Sequence, residues 1–176
     1  MNKDPIVIVG SARTPMGGMN GALSGMSAPE LGSTAIKGAI QQSGVNMHEV
    51  EDVVMGAVLA AGLGQAPARQ AAIFSGLYDR TGATTINKMC GSGMKALMLA
   101  HDSIMAGSNS VMIAGGMESM TNAPYLLPKV RQGMRMGHGE IKDHMFLDGL
   151  EDAFERGTLM GAYAEATAER YQFTRE

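Results

Sequence analysis

Short β-branched segments alternate with apolar segments of helical spacing along most of this chain, and this alternation constrains the fold more than any other feature. Such alternation is typical of an α/β layer with a mostly parallel sheet, because each intervening helix returns the chain to the same end of the sheet. The predicted strands cover residues 6–9, 52–57, 83–86 and 110–114, and the predicted helices cover residues 27–44, 67–74 and 94–104.

The first strand and the first helix have the clearest local signals. Residues 6–9 are a continuous β-branched run, which predicts a strand buried on both faces. Ser27 and Glu30 form a capping-box pattern at the start of the helix, and Gly44 is expected to end it. After Met120 the alternating pattern ends. Residues 122–140 are predicted to form an irregular surface loop, and helical segments are predicted near residues 143–155 and 159–171.

The only cysteine, Cys90, lies where the third predicted strand turns into a helix. Gly91 and Gly93 are expected to let the backbone turn sharply at little steric cost. A thiol beside a helix N-terminus is biased towards the nucleophilic thiolate, and the free N–H groups there can hold a forming oxyanion. The residue pattern leaves open the alternative of a buried cysteine that only fills space.

The helix after Cys90 carries an apolar stripe that includes Met94, Leu97 and Met98, and His101 falls on the same stripe. We expect this stripe to face the core and His101 to be a core histidine. The histidine lies roughly 16 Å of helix beyond the thiol, so it cannot act directly on Cys90.

Composition excludes several classes of function. The net charge is -3 and no basic run is present, which argues against binding of nucleic acid. No apolar run reaches membrane-spanning length, so we expect no membrane association. A single cysteine excludes a disulfide framework and a cysteine-rich metal site. Residues 1–5 lack the apolar stretch of a signal peptide, and we expect a cytoplasmic protein.

Five short motifs follow one another in an order that is specific in combination. The sequence resembles the amino-terminal half of a thiolase, of the acetyl-CoA acetyltransferase type, over nearly its whole length. The motifs are Ser-Ala-Arg-Thr-Pro at residues 11–15, Pro-Ala-Arg-Gln-Ala-Ala at 67–72, Asn87 with Cys-Gly-Ser-Gly at 90–93, Gly-Gly-Met-Glu-Ser-Met at 115–120, and Met-Gly at 160–161 with Ala-Glu at 164–165.

The resemblance implies a specific chemistry. Thiolases condense two acetyl-CoA molecules to acetoacetyl-CoA, or run the reverse cleavage in fatty acid metabolism, and the position of their acyl-accepting cysteine is Cys90. Coenzyme A thioesters are substrates, and no tightly bound cofactor is expected. Leu150 and Met160 would line the pantetheine and acyl path, although each fits a helix core position nearly as well. Family members are homodimers or homotetramers.

The resemblance also divides the chain. Residues 1–120 correspond to the amino-terminal core half with the nucleophile, and residues 121–176 to the beginning of the coenzyme A-binding loop domain. The family's activating histidine, second cysteine and oxyanion asparagine lie in a carboxy-terminal half, so we expect a fragment that is inactive alone. Leu159 stands where the family commonly has a histidine.

Three alternative functions remain open from the sequence. A thiolase-like protein without chemistry could bind acyl-CoA or lipid. A decarboxylating condensing enzyme would share the fold and the cysteine, although the motif at residues 115–120 favours a thiolase. A cysteine hydrolase is the weakest alternative, because no histidine is suitably placed for it.

Overall fold

A computed structural model describes residues 5–176. Met1–Asp4, most of the segment that was searched for a signal peptide, lies outside the described residues. Contacts within the chain cluster into two units, Met1–Ala123 and Pro124–Glu176. The roles predicted for the two parts of the sequence remain predictions.

The first unit is built on a parallel three-stranded sheet. Its strands are β1 (Asp52–Gly56), β2 (Gly82–Ile86) and β3 (Met112–Gly116), in the order β2-β1-β3. β1 is central and almost wholly buried, as expected for a run of apolar residues covered on both faces. The α/β class and the parallel sheet predicted from the sequence are confirmed. The carboxyl ends of the three strands meet at one edge, where the loops that follow them lie side by side.

Three helices accompany these strands: α1 (Ala28–Ser43) precedes β1, α2 (Pro67–Phe74) connects β1 to β2, and α3 (Ser92–Met105) connects β2 to β3. The predicted capping box of α1 is present, with both reciprocal bonds between Ser27 and Glu30. Gly44 ends the helix in the left-handed conformation, at φ 68°. The core joins α1, α2 and β1 through small and branched apolar residues, among them Ile36, Val53, Met55, Ala68 and Ala71.

The strand predicted at residues 6–9 is not formed, and the prediction that it is buried is wrong. Val7, Ile8 and Val9 are between 58% and 71% exposed. β-Branched residues favour an extended backbone, but a strand also needs a neighbour to pair with its N–H and C=O groups. No strand among the described residues pairs with this segment. Only its end is packed tightly, because a Cβ at Gly10 would lie 2.6 Å from the carbonyl oxygen of Ala39 in α1.

The orientation expected for α3 is also wrong. Ser92, Ala96 and Ala100 are its buried residues, whereas Met94, Leu97 and Met98 are exposed. The small residues let the helix axis approach the sheet closely, so the long side chains occupy the opposite face. His101 lies on that exposed face with 57% of its side chain accessible and contacts Asp102, and is therefore not a core histidine.

The second unit contains a short antiparallel pair, β4 (Tyr125–Leu126) with β5 (Lys142–Asp143), a π-helical turn (Phe146–Leu150) and α4 (Met160–Tyr171). The helix predicted near residues 159–171 is confirmed as α4. The helix predicted near residues 143–155 is reduced to the π-helical turn, since the Asp152 side chain accepts the N–H groups of Phe154 and Glu155 and forms a turn instead. Across residues 5–176, no helix has the length and apolar character needed to cross a membrane.

Candidate active site

Cys90 lies in the turn that joins β2 to α3. Its side chain is exposed and forms no disulfide. Among residues 5–123 the thiol has no hydrogen-bond partner. His48 contacts Tyr78, and His101 contacts Asp102. A cysteine that is exposed in this way does not serve as buried filling, and its sulfur is accessible to a substrate from solution.

Two polar side chains hold the turn in shape. The Asn87 Oδ1 atom accepts the N–H of Met89 at 2.9 Å. The Ser92 hydroxyl, which is buried, accepts the N–H of Lys88 at 2.8 Å and donates to the Met89 carbonyl at 2.6 Å. Because Ser92 is the first residue of α3, these bonds tie the turn to the helix. Sequence reasoning missed this role, for which a small hydroxyl residue at the start of an apolar helix was the available signal.

The left-handed residue of the turn is Met89, at φ 48°, and not a glycine. Gly91 has φ -89°, a value that any residue adopts, and Gly93 has no positive φ. The sharp turn therefore does not depend on the conformational freedom of the two glycines, contrary to our expectation. A left-handed non-glycine residue is unfavourable unless its surroundings hold it, and both peptide groups of Met89 are hydrogen-bonded.

Glycines instead set how closely α3 approaches the sheet. A Cβ at Gly56, the last residue of β1, would lie 2.5 Å from the Cβ of Ser92 and 2.9 Å from the nitrogen of Gly93. A Cβ at Gly116, the last residue of β3, would lie 3.5 Å from the Cα of Gly93. The first turn of α3 thus rests directly on the ends of two strands, and this contact fixes the position of Cys90 at the sheet edge.

The backbone N–H groups near Cys90 fall into two sets. Those of Gly91 and Ser92 donate to preceding carbonyls within the turn, at 3.2 and 3.0 Å. Those of Gly93 and Met94 have no partner in the described part of the chain. They belong to the positive end of a 14-residue helix, where unpaired donors favour a negative charge. An exposed thiol is therefore followed, in the first turn of the same helix, by two unpaired N–H donors.

A carboxylate on the neighbouring loop borders this edge of the sheet. Glu118 follows β3 and accepts the N–H groups of Val58 and Leu59, at 2.8 and 3.2 Å, through its two oxygens. Since β1 is the central strand, the loop that contains Val58 and Leu59 lies between the Glu118 segment and the Cys90 turn. From the sequence, Glu118 was recognised only as part of the motif at residues 115–120, although a carboxylate two residues after a glycine-ended strand is a recognisable signal.

Leu150 and Met160 belong to the second unit, whereas Cys90 belongs to the first. An antiparallel bridge joins Glu151 to Leu159, so that Leu150 and Met160 flank the bridge from opposite strands. Leu150 is half-buried at the end of the π-helical turn, and Met160 is 39% exposed at the start of α4. The unit therefore brings these two apolar side chains to neighbouring positions, with part of Met160 open to solvent.

The segment between them is held by ionic and polar contacts. The hydrogen bond from Arg156 holds the pKa of the Glu151 carboxyl below its usual value, and the Gly157 N–H adds to this effect. The hydrogen bond from the Tyr163 hydroxyl to Glu155 raises the pKa of Tyr163 to about 12. At neutral pH, Glu151 is therefore a fixed negative charge and Tyr163 a neutral donor.

Comparison with known families agrees with this geometry. Residues 6–176 match the family described as thiolase, N-terminal domain. The chain belongs to the thiolase family. The resemblance inferred from the five motifs is confirmed, and the sheet with its strand-to-helix turn is a thiolase amino-terminal domain.

Several curated proteins are similar to this thiolase chain along nearly its whole length. It is 50% identical to acetyl-CoA acetyltransferase 2 of Arabidopsis thaliana over 176 residues, which is 100% of the chain and 43% of that protein. It is 50% identical to an acetyl-CoA acetyltransferase of Cupriavidus necator, over 97% of the chain and 43% of that protein. A mitochondrial acetyl-CoA acetyltransferase of Danio rerio is 48% identical over 97% of the chain and 40% of its own length. The chain thus spans less than half the length of these relatives.

Proposed function

We propose that this thiolase chain carries the nucleophile of an acetyl-CoA C-acetyltransferase, which condenses two acetyl-CoA molecules to acetoacetyl-CoA or cleaves acetoacetyl-CoA. One observation carries the proposal: the exposed Cys90 thiol lies in a strand-to-helix turn, and the unpaired N–H groups of Gly93 and Met94 follow it in the first turn of α3. The names of the relatives, all acetyl-CoA acetyltransferases, support the choice of substrate.

We assign the first half-reaction to residues of this chain. The Cys90 thiolate attacks the carbonyl carbon of acetyl-CoA, and the carbonyl oxygen becomes an oxyanion. The unpaired N–H groups of Gly93 and Met94 are the donors proposed to stabilise it. Coenzyme A leaves as a thiolate and takes up a proton, while the acetyl group remains as a thioester on Cys90. A thioester replaces a thioester, so the step is close to balanced in free energy and requires no tightly bound cofactor.

The second half-reaction forms the new carbon–carbon bond. A base first removes a proton from the acetyl group of a second acetyl-CoA. The resulting carbanion attacks the carbonyl carbon of the Cys90 thioester and releases the Cys90 thiolate. We assign no residue of this chain as the base.

We propose that residues 1–120 act as the nucleophile-bearing core half and residues 121–176 as the beginning of the coenzyme A-binding loop domain. Within the latter, Leu150 and Met160 are assigned to the pantetheine and acyl path. Their neighbouring positions beside the bridge of Glu151 and Leu159 support this assignment. Leu159 replaces the family's usual histidine, so the acyl path lacks a polar group at that position.

The complete protein is proposed to act as a homodimer or homotetramer in the cytoplasm, with coenzyme A thioesters as its small-molecule partners and no nucleic acid or membrane partner. Among the relatives, one is named as a cytosolic enzyme and another as a mitochondrial enzyme. A cytoplasmic location is therefore tested by fractionation, in which the protein is expected with soluble cytosolic markers.

Acetylation of Cys90 tests the proposed function. The complete protein, at the length of its relatives, is purified and incubated with acetyl-CoA or acetoacetyl-CoA, and its intact mass and modified peptide are measured. One acetyl group is expected on Cys90, and Cys90→Ser is expected to abolish it. Acetylation that persists on another residue of the serine variant would contradict the assignment. Binding of acetyl-CoA without any acetylation would instead identify a non-catalytic acyl-CoA-binding protein.

A further inference from the structure

Glu118 connects the loop after β3 to the loop after β1, next to the turn that carries the nucleophile. We propose that Glu118 is a positioning residue, which fixes the Cys90 turn by holding the loop after β1 against it. This inference rests on the proposed role of Cys90 as the nucleophile. It concerns a residue that does not itself touch the reacting atoms.

The first step is the contact of Glu118 with the loop after β1. Both carboxylate oxygens are used, one for the N–H of Val58 at 2.8 Å and the other for the N–H of Leu59 at 3.2 Å. The Leu59 side chain is buried, which anchors the same loop from its other side. The two N–H groups thus receive their acceptors from a residue about sixty positions later in the chain.

The second step is the contact of that loop with the Cys90 turn. The Ala57 N–H donates to the Ile86 carbonyl at 3.0 Å, which extends the pairing of β1 and β2 to the start of the turn. The Asn87 side-chain amide then donates to the Val58 carbonyl at 3.5 Å, while its oxygen accepts the N–H of Met89. Asn87 therefore joins the loop that Glu118 holds to the left-handed residue directly before Cys90.

The chemistry of these contacts requires a carboxylate. An ionised carboxyl group only accepts hydrogen bonds, and its two oxygens match two neighbouring N–H donors. A glutamine at the same position would turn its NH₂ group towards one of these donors, leaving that N–H without an acceptor. Glu118→Gln thus keeps the shape of the side chain and removes about half of the contact.

The experiment measures Cys90 directly in the purified protein, without relying on turnover. Second-order rate constants for alkylation of Cys90 by iodoacetamide are compared for the wild type, Glu118→Gln, Glu118→Asp and Asn87→Ala. Amide hydrogen exchange of the peptide that contains Met89 and Cys90 is followed in parallel. The matched control is Glu30→Gln, which also removes a carboxylate acceptor of a backbone N–H but lies at the start of α1.

The Glu118 variants and Asn87→Ala are expected to lower the alkylation rate constant by roughly three- to tenfold, the effect of losing one hydrogen bond, and to speed exchange of the Met89 amide. In the double variant with Glu118→Gln and Asn87→Ala, the alkylation rate constant is expected to fall by a smaller factor than the product of the two single reductions. Glu30→Gln is expected to change neither readout.

The inference would be overturned if the Glu118 variants showed the same alkylation rate constant and the same amide exchange as the wild type. It would also be overturned if the rate reduction in the double variant equalled the product of the reductions in Glu118→Gln and Asn87→Ala. The use of two Glu118 variants keeps the inference falsifiable if one of them does not fold. Failure of acetyl-CoA to acetylate Cys90 in the complete wild-type protein would overturn the proposed function instead, so the two proposals fail on different measurements.

Discussion

At the scale of single residues, the conformation of Met89 is the least favourable feature of the site. Its φ of 48° is held by two hydrogen bonds: the Asn87 Oδ1 atom accepts its N–H, and the Ser92 hydroxyl donates to its carbonyl. Residues in such conformations occur where a side chain must be presented in a fixed direction. In this chain the side chain that follows is Cys90.

Substitution of Met89 tests this strain. Met89→Val is expected to unfold more easily than Met89→Gly, by about 1–2 kcal/mol, because a β-branched residue disfavours the left-handed region and glycine does not. The free energy of unfolding is measured by urea denaturation of both variants. Equal stability of the two variants would show that Met89 does not adopt the left-handed conformation in solution.

Single residues differ in how well the sequence predicts them. The position of Cys90 between a strand and a helix was predicted, because a lone cysteine between local patterns is visible in the sequence. The left-handed Met89 was not, because methionine has no preference for that conformation and only the hydrogen bonds of Asn87 and Ser92 impose it. The contact of Glu118 with Val58 joins residues too far apart for local patterns to reveal.

At the scale of elements, the contact of α3 with the end of β1 depends on Gly56. Gly56→Ala is expected to destabilise the protein by about 1–3 kcal/mol, because the new methyl group would lie 2.5 Å from the Ser92 Cβ and the backbone must move. Thermal unfolding is the measurement. Gly25→Ala is the control, since no atom lies within 4 Å of its Cβ position. Similar losses in both variants would contradict the close contact.

The N-terminus of α1 predicts a dependence of stability on pH. The hydrogen bond from the Ser27 hydroxyl, followed by that from its N–H, lowers the pKa of Glu30 in the folded state. The unfolded chain therefore binds the proton first as pH falls, so this contribution to stability is present above the usual carboxyl pKa and is lost as pH falls through the lowered folded value.

Glu30→Gln is expected to flatten that part of the stability curve, since the amide does not titrate. Melting temperatures at about pH 3 and about pH 6 are compared for the wild type, Glu30→Gln and Ser27→Ala, with both variants expected to show a smaller difference than the wild type. An unchanged difference in both variants would exclude the capping box as a source of acid sensitivity.

Some helices and strands can be predicted from sequence patterns alone, and others cannot. The limits of α1 and α2 were predicted closely, because Ser27, Gly44 and Pro67 act locally, on the backbone of the helix end where each lies. Residues 6–9 and the exposed face of α3 were predicted wrongly, because burial depends on which other segments are adjacent. Apolar spacing identified α3 as a helix, but the small residues Ala96 and Ala100 decided which face is buried.

At the scale of the whole molecule, the outward face of α3 predicts the behaviour of the 176-residue chain in solution. Met94, Leu97, Met98 and Met105 are each between 47% and 67% exposed on one helix. A contiguous apolar surface of this kind promotes association. The isolated chain is therefore expected to self-associate, and sedimentation velocity at increasing concentration is the measurement.

Charged substitutions on that face are expected to reduce this association. The double variant Met94→Lys with Met98→Glu is expected to shift the chain towards the monomer. Met136→Lys, at a methionine that is 99% exposed outside α3, is expected to leave association unchanged. A wild-type chain that remains monomeric with a sharp thermal transition would contradict the prediction.

The close contact of α3 with β1 and β3 has a consequence for the order of events during synthesis. Residues 52–56 and Cys90 emerge from the ribosome before residues 112–116, yet the first turn of α3 rests on the ends of both strands. The packing beneath the Cys90 turn is therefore incomplete until the later strand has been translated and has paired in parallel with the earlier one, a non-local and slow step. A nascent chain thus exposes Cys90 first and completes the packing beneath its turn only afterwards.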